Sequence, residues 1–215
     1  MKRHIAWLVA CGVLAGCASE PMPIDAPASP TPSQNTTKPT SHRTDAQGSA
    51  EAPVAFHFES GTLEIGDFDP YTLGDDIFDP CTEISPEEFA AASFDNVEPI
   101  PEEYAGLARG LSACNFTKHS DLPGEGFGNN NASQKLVKEQ TSILKQYSSD
   151  LLPDVFVYGP KNGIGTHCYA QIDTTRGGIV SEASGLDGYN SQDRTCEVAI
   201  ENLDALFAAN RSAKH

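Results

Sequence analysis

The 215-residue sequence is short of basic residues and almost lacks tryptophan. Fourteen Lys and Arg stand against thirty Asp and Glu, which gives a formal net charge of −16. Nucleic-acid binding needs clustered Lys and Arg that neutralise phosphates, so this deficit argues against a nucleic-acid partner. The one tryptophan, Trp7, lies in a segment that we predict is removed. A glycosidase that stacks its sugar on tryptophan is therefore disfavoured.

Motifs that do not occur exclude several further classes of protein. The nearest approach to the serine-hydrolase elbow Gly-x-Ser-x-Gly is Ala-Ser-Gly at residues 183–185, which lacks the first glycine. The sequence has no Walker loop, dinucleotide fingerprint, His-Glu-x-x-His helix or Cys-x-x-Cys pair. His57, His119 and His167 stand alone, and we expect exposed or internally hydrogen-bonded histidines there. We therefore predict no catalytic residue, no metal site and no cofactor.

The first seventeen residues are typical of a lipoprotein signal peptide. Lys2 and Arg3 precede an apolar run over residues 5–13 that is too short to span a bilayer, and Leu-Ala-Gly-Cys ends at Cys17. This ending resembles the bacterial lipobox, in which the peptidase cuts before a cysteine whose sulfur carries a diacylglycerol. We predict that residues 1–16 are removed and that lipid on Cys17 holds the protein at the extracytoplasmic face of the cell membrane. The alternative is a short N-terminal membrane anchor with an incidental cysteine.

The composition of residues 17–53 predicts a disordered linker. Seven prolines are spaced among Ser, Thr, Ala, Gln and Asn. Such a stretch buries too little apolar surface to offset its chain entropy. The first apolar cluster follows at residues 54–58, and we predict one folded ectodomain over residues 54–213. The linker would hold this domain away from the bilayer.

The whole net charge lies between Arg43 and Arg109. That interval holds sixteen acids and no Lys or Arg, whereas the fourteen acids elsewhere balance the fourteen Lys and Arg residues. One interpretation is a site for a cation or a cationic partner, because hard cations prefer several carboxylate oxygens close together. The candidate carboxylates are Asp67, Asp69, Asp75, Asp76 and Asp79. The spacing from Asp67 does not match an EF-hand, so we favour the other interpretation, a solvated acidic loop.

Sequence patterns predict an α+β domain with an antiparallel sheet packed by two or three helices. Strands are predicted at residues 112–118, 154–158, 166–173 and 179–183, the last two joined by a turn. Helices are predicted at residues 85–93, 133–147 and 193–209. The first of these begins with the capping box Ser85-Pro86-Glu87-Glu88. Residues 124–131 contain three Gly and three Asn and are predicted to form a loop.

Four cysteines of the predicted domain are expected to form two disulfides, since the chain is predicted to lie outside the cytoplasm. They are Cys81, Cys114, Cys168 and Cys196, and three pairings are possible. Zinc binding is the alternative, but no Cys-x-x-Cys pair exists among them. Cys168 lies on a predicted strand, and Cys196 begins the buried stripe of the last helix. A bridge between those two would therefore join the helix to the sheet.

Several short motifs resemble a family of actinobacterial envelope lipoproteins whose domain has no assigned function. They are Asp79-Pro80-Cys81, Cys114-Asn115-Phe116, Cys168 to Asp173, and Cys196-Glu197-Val198-Ala199. The resemblance spans residues 78–207, although this chain has Phe116 where tryptophan is common and a long acidic entry over residues 59–76. It implies secretion, lipidation, an α+β fold and the pairings Cys81 to Cys114 and Cys168 to Cys196. It implies no activity.

Two hypotheses for the function remain. The first is a noncatalytic binding or interaction module, a monomer tethered outside the membrane that binds an envelope protein or lipid. The second is a carrier or accessory enzyme for an envelope lipid or small ligand, suggested by ten Phe and six Tyr residues. Core packing would explain these aromatic residues as well. A continuous apolar cavity of several hundred cubic ångströms would favour the carrier.

Replacing the predicted lipidated cysteine tests the membrane anchor. We expect the Cys17→Ser chain to leave the membrane fraction, because the sulfur that would carry the lipid is gone. Fractionation of cells followed by immunoblotting measures this. The control is Cys11→Ser, a change of the same kind inside the segment predicted to be removed. Unchanged membrane association of the Cys17→Ser chain would contradict the prediction.

Overall fold

The computed structural model describes residues 54–101, 111–160 and 166–211. The predicted signal peptide, Cys17 and the predicted linker up to Pro53 lie outside these residues. The strands are β1 Ala55–Phe58, β2 Gly61–Glu64, β3 Glu98–Pro99, β4 Ala113–Phe116, β5 Gly124–Asn130, β6 Ser142–Ile143, β7 Phe156–Gly159, β8 His167–Thr174 and β9 Gly177–Ser184. The helices are α1 Pro80–Glu83, α2 Pro86–Ala91, α3 Gln134–Gln140 and α4 Gln192–Asn210.

Seven strands form one antiparallel sheet, which confirms the predicted α+β class. Their order is β3-β4-β5-β9-β8-β7-β6. The predicted hairpin is confirmed as β8 and β9, which pair along their whole length and end with Thr174 opposite Gly177. Gly177 has a φ of +96°, a conformation that favours glycine at this tight turn. Strands β1 and β2 form a separate two-stranded sheet.

The long helix α4 packs on one face of the large sheet, which we call the helix face. Its side chains Cys196, Ile200, Leu203 and Phe207 are buried, as their helical spacing predicts. They meet the inward residues of β8, which are Cys168, Ala170 and Ile172. The helix starts where the Ser191 side chain accepts a hydrogen bond from the Arg194 amide.

Eight phenylalanines form the aromatic part of one continuous core. They are Phe56, Phe58, Phe78, Phe89, Phe94, Phe116, Phe127 and Phe207. The ring of Phe56 in β1 meets the edge of Phe207 in α4 with centroids 5.2 Å apart, so the small sheet is attached to the helix. Core packing therefore accounts for most of the phenylalanines that suggested a carrier.

Two disulfides join helices to the sheet. Cys81 of α1 is bonded to Cys114 of β4 with their Cα atoms 5.6 Å apart. Cys168 of β8 is bonded to Cys196 of α4 with their Cα atoms 4.9 Å apart. These are the two pairings that the family resemblance implies. Both lie at the boundary between the sheet and the elements that cover its helix face.

The helix predicted over residues 133–147 is wrong in its second half. The helix α3 ends at Gln140, and the next residues form β6, where Ile143 pairs with Tyr158 of β7. Beyond β6, the Leu144 amide donates to the Val157 carbonyl at 2.8 Å. Without β6, the backbone groups at the edge of β7 would be unpaired. Residues 142–144 therefore form strand hydrogen bonds with β7 and do not continue the helix.

The loop predicted over residues 124–131 is also wrong, because residues 124–130 form β5, an interior strand of the sheet. It pairs with β4 on one side and β9 on the other. A Cβ atom on Gly126 would lie 2.8 Å from the carbonyl oxygen of Cys114, and one on Gly128 would lie 2.9 Å from that of Ser112. Glycine is required at these positions because the neighbouring strand approaches too closely for a side chain.

Strand β5 also carries a buried carboxylate, that of Glu125, on the helix face. Its oxygens accept hydrogen bonds from the amides of Lys118 and His119, from Nδ1 of His119 at 2.7 Å and from Nδ2 of Asn202 at 3.1 Å. Burial alone would raise the pKa of Glu125, but the hydrogen bonds from His119, Asn202 and Lys118 outweigh it and lower the pKa. This carboxylate thus ties α4 and the loop after β4 to the sheet.

Removing the disulfide between α4 and β8 tests its contribution to stability. We expect the double substitution Cys168→Ala and Cys196→Ala to lower the free energy of unfolding by about 3 to 4 kcal/mol, because the bridge closes a loop of 28 residues in the unfolded chain. Urea denaturation measures the loss. The Cys81 and Cys114 pair closes a loop of 33 residues and provides a matched comparison. A loss well under 1 kcal/mol would contradict this account.

The substitution Glu125→Gln tests the buried carboxylate through its pH dependence. A lowered pKa in the folded state means that the carboxylate stabilises the fold above its ordinary pKa of 4.5. This stabilisation is lost as the pH falls through the lower, folded-state pKa. We expect the difference in unfolding free energy between wild type and Glu125→Gln to be largest near neutral pH and to shrink below about pH 4.5.

Urea denaturation at several pH values measures that difference. The control is Glu201→Gln, because Glu201 is 57% exposed and lies 3.7 Å from the other ring nitrogen of His119. Because the Glu201 carboxylate is solvent-screened, its contact with His119 contributes little, and the substitution should leave the stability nearly unchanged. A pH-independent effect of Glu125→Gln would contradict the assigned role.

Candidate functional site

The second face of the large sheet, which we call the open face, is only partly covered by the described helices. Helix α3 lies over its β7 end, where Val137 packs against Phe156 and Tyr158. The two central strands β5 and β9 lie beyond this helix in the sheet order. This arrangement leaves room for a surface site next to α3.

A groove with a volume of about 320 Å³ lies on the open face. The strand register places five of its residues in one row across the sheet, from β7 through β8, β9 and β5 to β4. That row is Tyr158, Tyr169, Glu182, Gly126 and Asn115. Because glycine has no side chain, Gly126 forms a low floor between the larger residues on either side.

The neighbouring row of the sheet repeats this arrangement. There Val180 of β9, Gly128 of β5 and Ala113 of β4 are paired in register. All three line the groove. Gly126 and Gly128, which occupy neighbouring rows of the open face, therefore form the floor of a trough in the sheet surface.

Two stacked tyrosines form one wall of the groove. The rings of Tyr158 and Tyr169 lie 5.3 Å apart and are inclined by 18°. Burial raises the pKa of both hydroxyls, and the neighbouring carboxylate of Glu182 raises that of Tyr169 further. Both hydroxyls are therefore neutral at physiological pH, and the wall offers aromatic surface with hydrogen-bonding groups at its edge.

A buried amide fixes this wall in place. The Oε1 atom of Gln171 accepts hydrogen bonds from Nδ2 of Asn130 at 2.9 Å and from the Tyr158 hydroxyl at 3.2 Å. Its Nε2 atom donates to the Ala132 carbonyl and to the Asp173 carboxylate. Because Gln171 is fully buried, these bonds hold the tyrosine and the segment before α3 in one geometry.

The chemistry of the groove suits binding better than bond cleavage. Its lining offers tyrosine rings, the amide of Asn115 and the carboxylate of Glu182. The side-chain amides of Asn129 and Asn130 are already hydrogen-bonded within the fold. The hydroxyl of Ser112 is already used, because it donates to Asp79 at 2.5 Å. That aspartate in turn caps helix α1. The Ser112 hydroxyl is therefore hydrogen-bonded to a helix-capping carboxylate, which is a structural role.

The five candidate carboxylates of the acidic interval are not brought together into a metal site. Asp76 forms an ion pair with Arg176 at 2.9 Å, and Asp69 accepts a hydrogen bond from the Tyr71 amide. Asp79 accepts one from the Cys81 amide at the start of α1. Across residues 54–101, 111–160 and 166–211, no three His, Cys, Asp or Glu side chains are placed to hold a metal ion.

Three histidines that stand alone in the sequence have different surroundings. His119 is bonded to the buried Glu125, whereas His57 contacts the Thr62 hydroxyl at 3.1 Å. The Nδ1 atom of His167 lies 3.7 Å from the carboxylate of Glu182, which also lines the groove. These placements agree with histidines that are exposed or internally hydrogen-bonded.

Within the described ranges, none of the site residues predicted from the sequence lines the groove, apart from Cys114, which is predicted only as a disulfide cysteine. A signal for it exists in the Gly-x-Gly-x-Gly pattern of residues 124–128, whose period of two is that of a strand with one face free of side chains. The predicted lipidation site, Cys17, lies outside the described residues. In the part of the chain that the structure describes, no helix has the length and apolar character needed to cross a membrane.

Comparison with known proteins gives one match. No curated protein and no solved structure matches the chain. The family described as Protein of unknown function (DUF3558) matches residues 12–208, which include the groove and both disulfides. Since the match covers most of its length, the chain belongs to the family of proteins of unknown function designated DUF3558.

Proposed function

We propose that the protein is a noncatalytic binding module of the cell envelope, which uses the groove on the open face to hold a segment of a protein partner. Lipid on Cys17 anchors it outside the membrane, and residues 18–53 act as the linker. The proposal also takes the chain to be an actinobacterial lipoprotein, on the basis of the lipobox and the short cysteine motifs. The observation that carries the binding role is the preformed groove.

Preorganisation supports a binding role. The tyrosine wall is held by Gln171, and the floor consists of strand β5 between two paired neighbours. A site that is already ordered loses little conformational entropy when a partner binds. Tyrosine contributes a large, rigid contact area with few rotatable bonds, which is why it is common at protein interfaces.

Charge indicates the kind of segment that fits. Among the residues that the structure describes, the lining of the groove includes Glu182 and no Lys or Arg. The whole chain carries a net charge of −16, so its field attracts cationic partners. We expect an extended segment with a Lys or Arg near Glu182 and an apolar or aromatic side chain against Tyr169.

The carrier hypothesis has less support than the interaction hypothesis. It was suggested by the number of aromatic residues, and eight of the ten phenylalanines pack together in the core. The groove volume of about 320 Å³ would still admit a small ligand. Native mass spectrometry of the purified mature protein separates the two, because a ligand that leaves on denaturation would favour the carrier.

Filling the groove tests the proposed site. Ala113 is half-buried beside Gly128, so Ala113→Phe should occupy the trough and leave the helix face unchanged. We expect roughly tenfold less partner protein to be recovered after crosslinking in living cells, because the segment loses its place. Quantitative mass spectrometry of the crosslinked material measures the recovery.

The matched control for this experiment is Ala91→Phe, the same change at an exposed position of α2. It should leave the recovered proteins unchanged. Thermal melting of both variants checks that each is folded. If Ala113→Phe is folded and recovers the same proteins as Ala91→Phe, the groove is not the binding site.

A further inference from the structure

Two large apolar side chains are exposed together in one short turn between β9 and α4. Leu186 is 56% exposed and Tyr189 is 88% exposed. Single exposed apolar residues are common on protein surfaces and need no explanation. Two of them within four residues of one ordered turn are less common, because the turn holds both apolar side chains in contact with water.

The turn over residues 186–190 is held by its own backbone and by one side chain. The amides of Tyr189 and Asn190 both donate to the Leu186 carbonyl at 3.0 Å. Within the turn, Gly188 has a φ of +82°, which favours glycine. The Asn190 side chain accepts a hydrogen bond from the Leu186 amide at 2.9 Å and so closes the turn from inside.

The turn is also attached to the rest of the domain at both ends. Nδ2 of Asn190 donates to the Asp121 carbonyl at 3.0 Å. Just before the turn, the Gly185 amide donates to the Thr166 carbonyl at 3.0 Å. Just after it, Arg194 forms an ion pair with the Asp121 side chain at 3.0 Å. The apolar side chains are therefore presented on a support that is already ordered.

These features match what a protein interface needs at its centre. A few aromatic and aliphatic side chains supply most of the binding energy of an interface. Contacts on preordered backbone lose less entropy on association than contacts on a flexible loop. The hydrogen bonds that fix the turn come from backbone groups and from Asn190, so they would form equally well with polar residues at positions 186 and 189.

The charges around the turn indicate the character of the partner surface. Asp187 lies within the turn, and Asp193 follows it in the first turn of α4. A nearby cation among the described residues, Arg194, is already engaged by Asp121 and Glu201. Acidic flanks disfavour an anionic membrane surface and a second copy of this acidic chain, and they complement a basic rim.

We propose that the turn over residues 186–190 is a protein-binding site that inserts Leu186 and Tyr189 into an apolar pocket with a basic rim on another protein. This site is separate from the groove, and it stands or falls independently of the proposed function. Its ligand class is a folded protein surface, whereas the groove takes an extended segment.

Site-specific photo-crosslinking of the full-length protein in living cells tests the proposal. Benzoylphenylalanine replaces Tyr189 in one variant and Tyr71 in the other. Tyr71 is a matched control because it is 87% exposed and also lies in a hydrogen-bonded turn, but on the acidic segment. We expect one crosslinked protein from position 189 that is absent from position 71, and mass spectrometry identifies it.

The identified protein is then purified and titrated against wild type, Tyr189→Ala and Tyr71→Ala. We expect Tyr189→Ala to weaken binding by roughly tenfold or more, Tyr71→Ala to change it less than about twofold, and added salt to weaken binding in wild type. Ala113→Phe should leave this titration unchanged, which separates the turn from the groove. A lipid adduct, an adduct with a second copy, equal adducts from both positions or no adduct would overturn the proposal.

Discussion

The close approach of β4 to β5 is the contact on which most of this domain depends. A Cβ atom on Gly126 would lie 2.8 Å from the carbonyl oxygen of Cys114, so the two strands can pair as they do only with glycine there. The same pairing places Cys114 opposite Phe127 on the helix face, where one is bonded to Cys81 and the other packs among the phenylalanines. One strand pair thus sets the floor of the groove, the position of a disulfide and the centre of the aromatic core.

The helix face is closed by two different kinds of link between α4 and the sheet. The bridge from Cys168 to Cys196 is covalent and acts mainly by restricting the unfolded chain. The bond from Asn202 to Glu125 is polar, and its value depends on the carboxylate remaining charged and fully hydrogen-bonded. Together they keep the helix face of the sheet buried. The apolar core residues are therefore inaccessible to a partner, and the open face remains accessible.

The parts of the fold that the sequence predicts are those with a strong local period. The stripe from Cys196 to Phe207 identifies α4, and alternation over residues 166–173 identifies β8, because each pattern repeats within one element. Strand β5 lacks such an apolar alternation and repeats only its glycines, and the close contacts that require Gly126 and Gly128 come from the backbone of a neighbouring segment. The groove row from Asn115 of β4 to Tyr158 of β7 draws on five strands, so only the sheet order brings its residues together.

The distribution of reactive groups favours contact over chemistry. Glu125, His119 and Asp79 are engaged with neighbours inside the fold. The two proposed contact surfaces instead present tyrosine rings, the Asn115 amide and a leucine, which bind by area and shape. A lipid at Cys17 would confine such surfaces to the membrane plane, where a partner also anchored there is met at a high effective concentration. Each proposed contact, in the groove and at the turn, would then need only a modest affinity for its own partner.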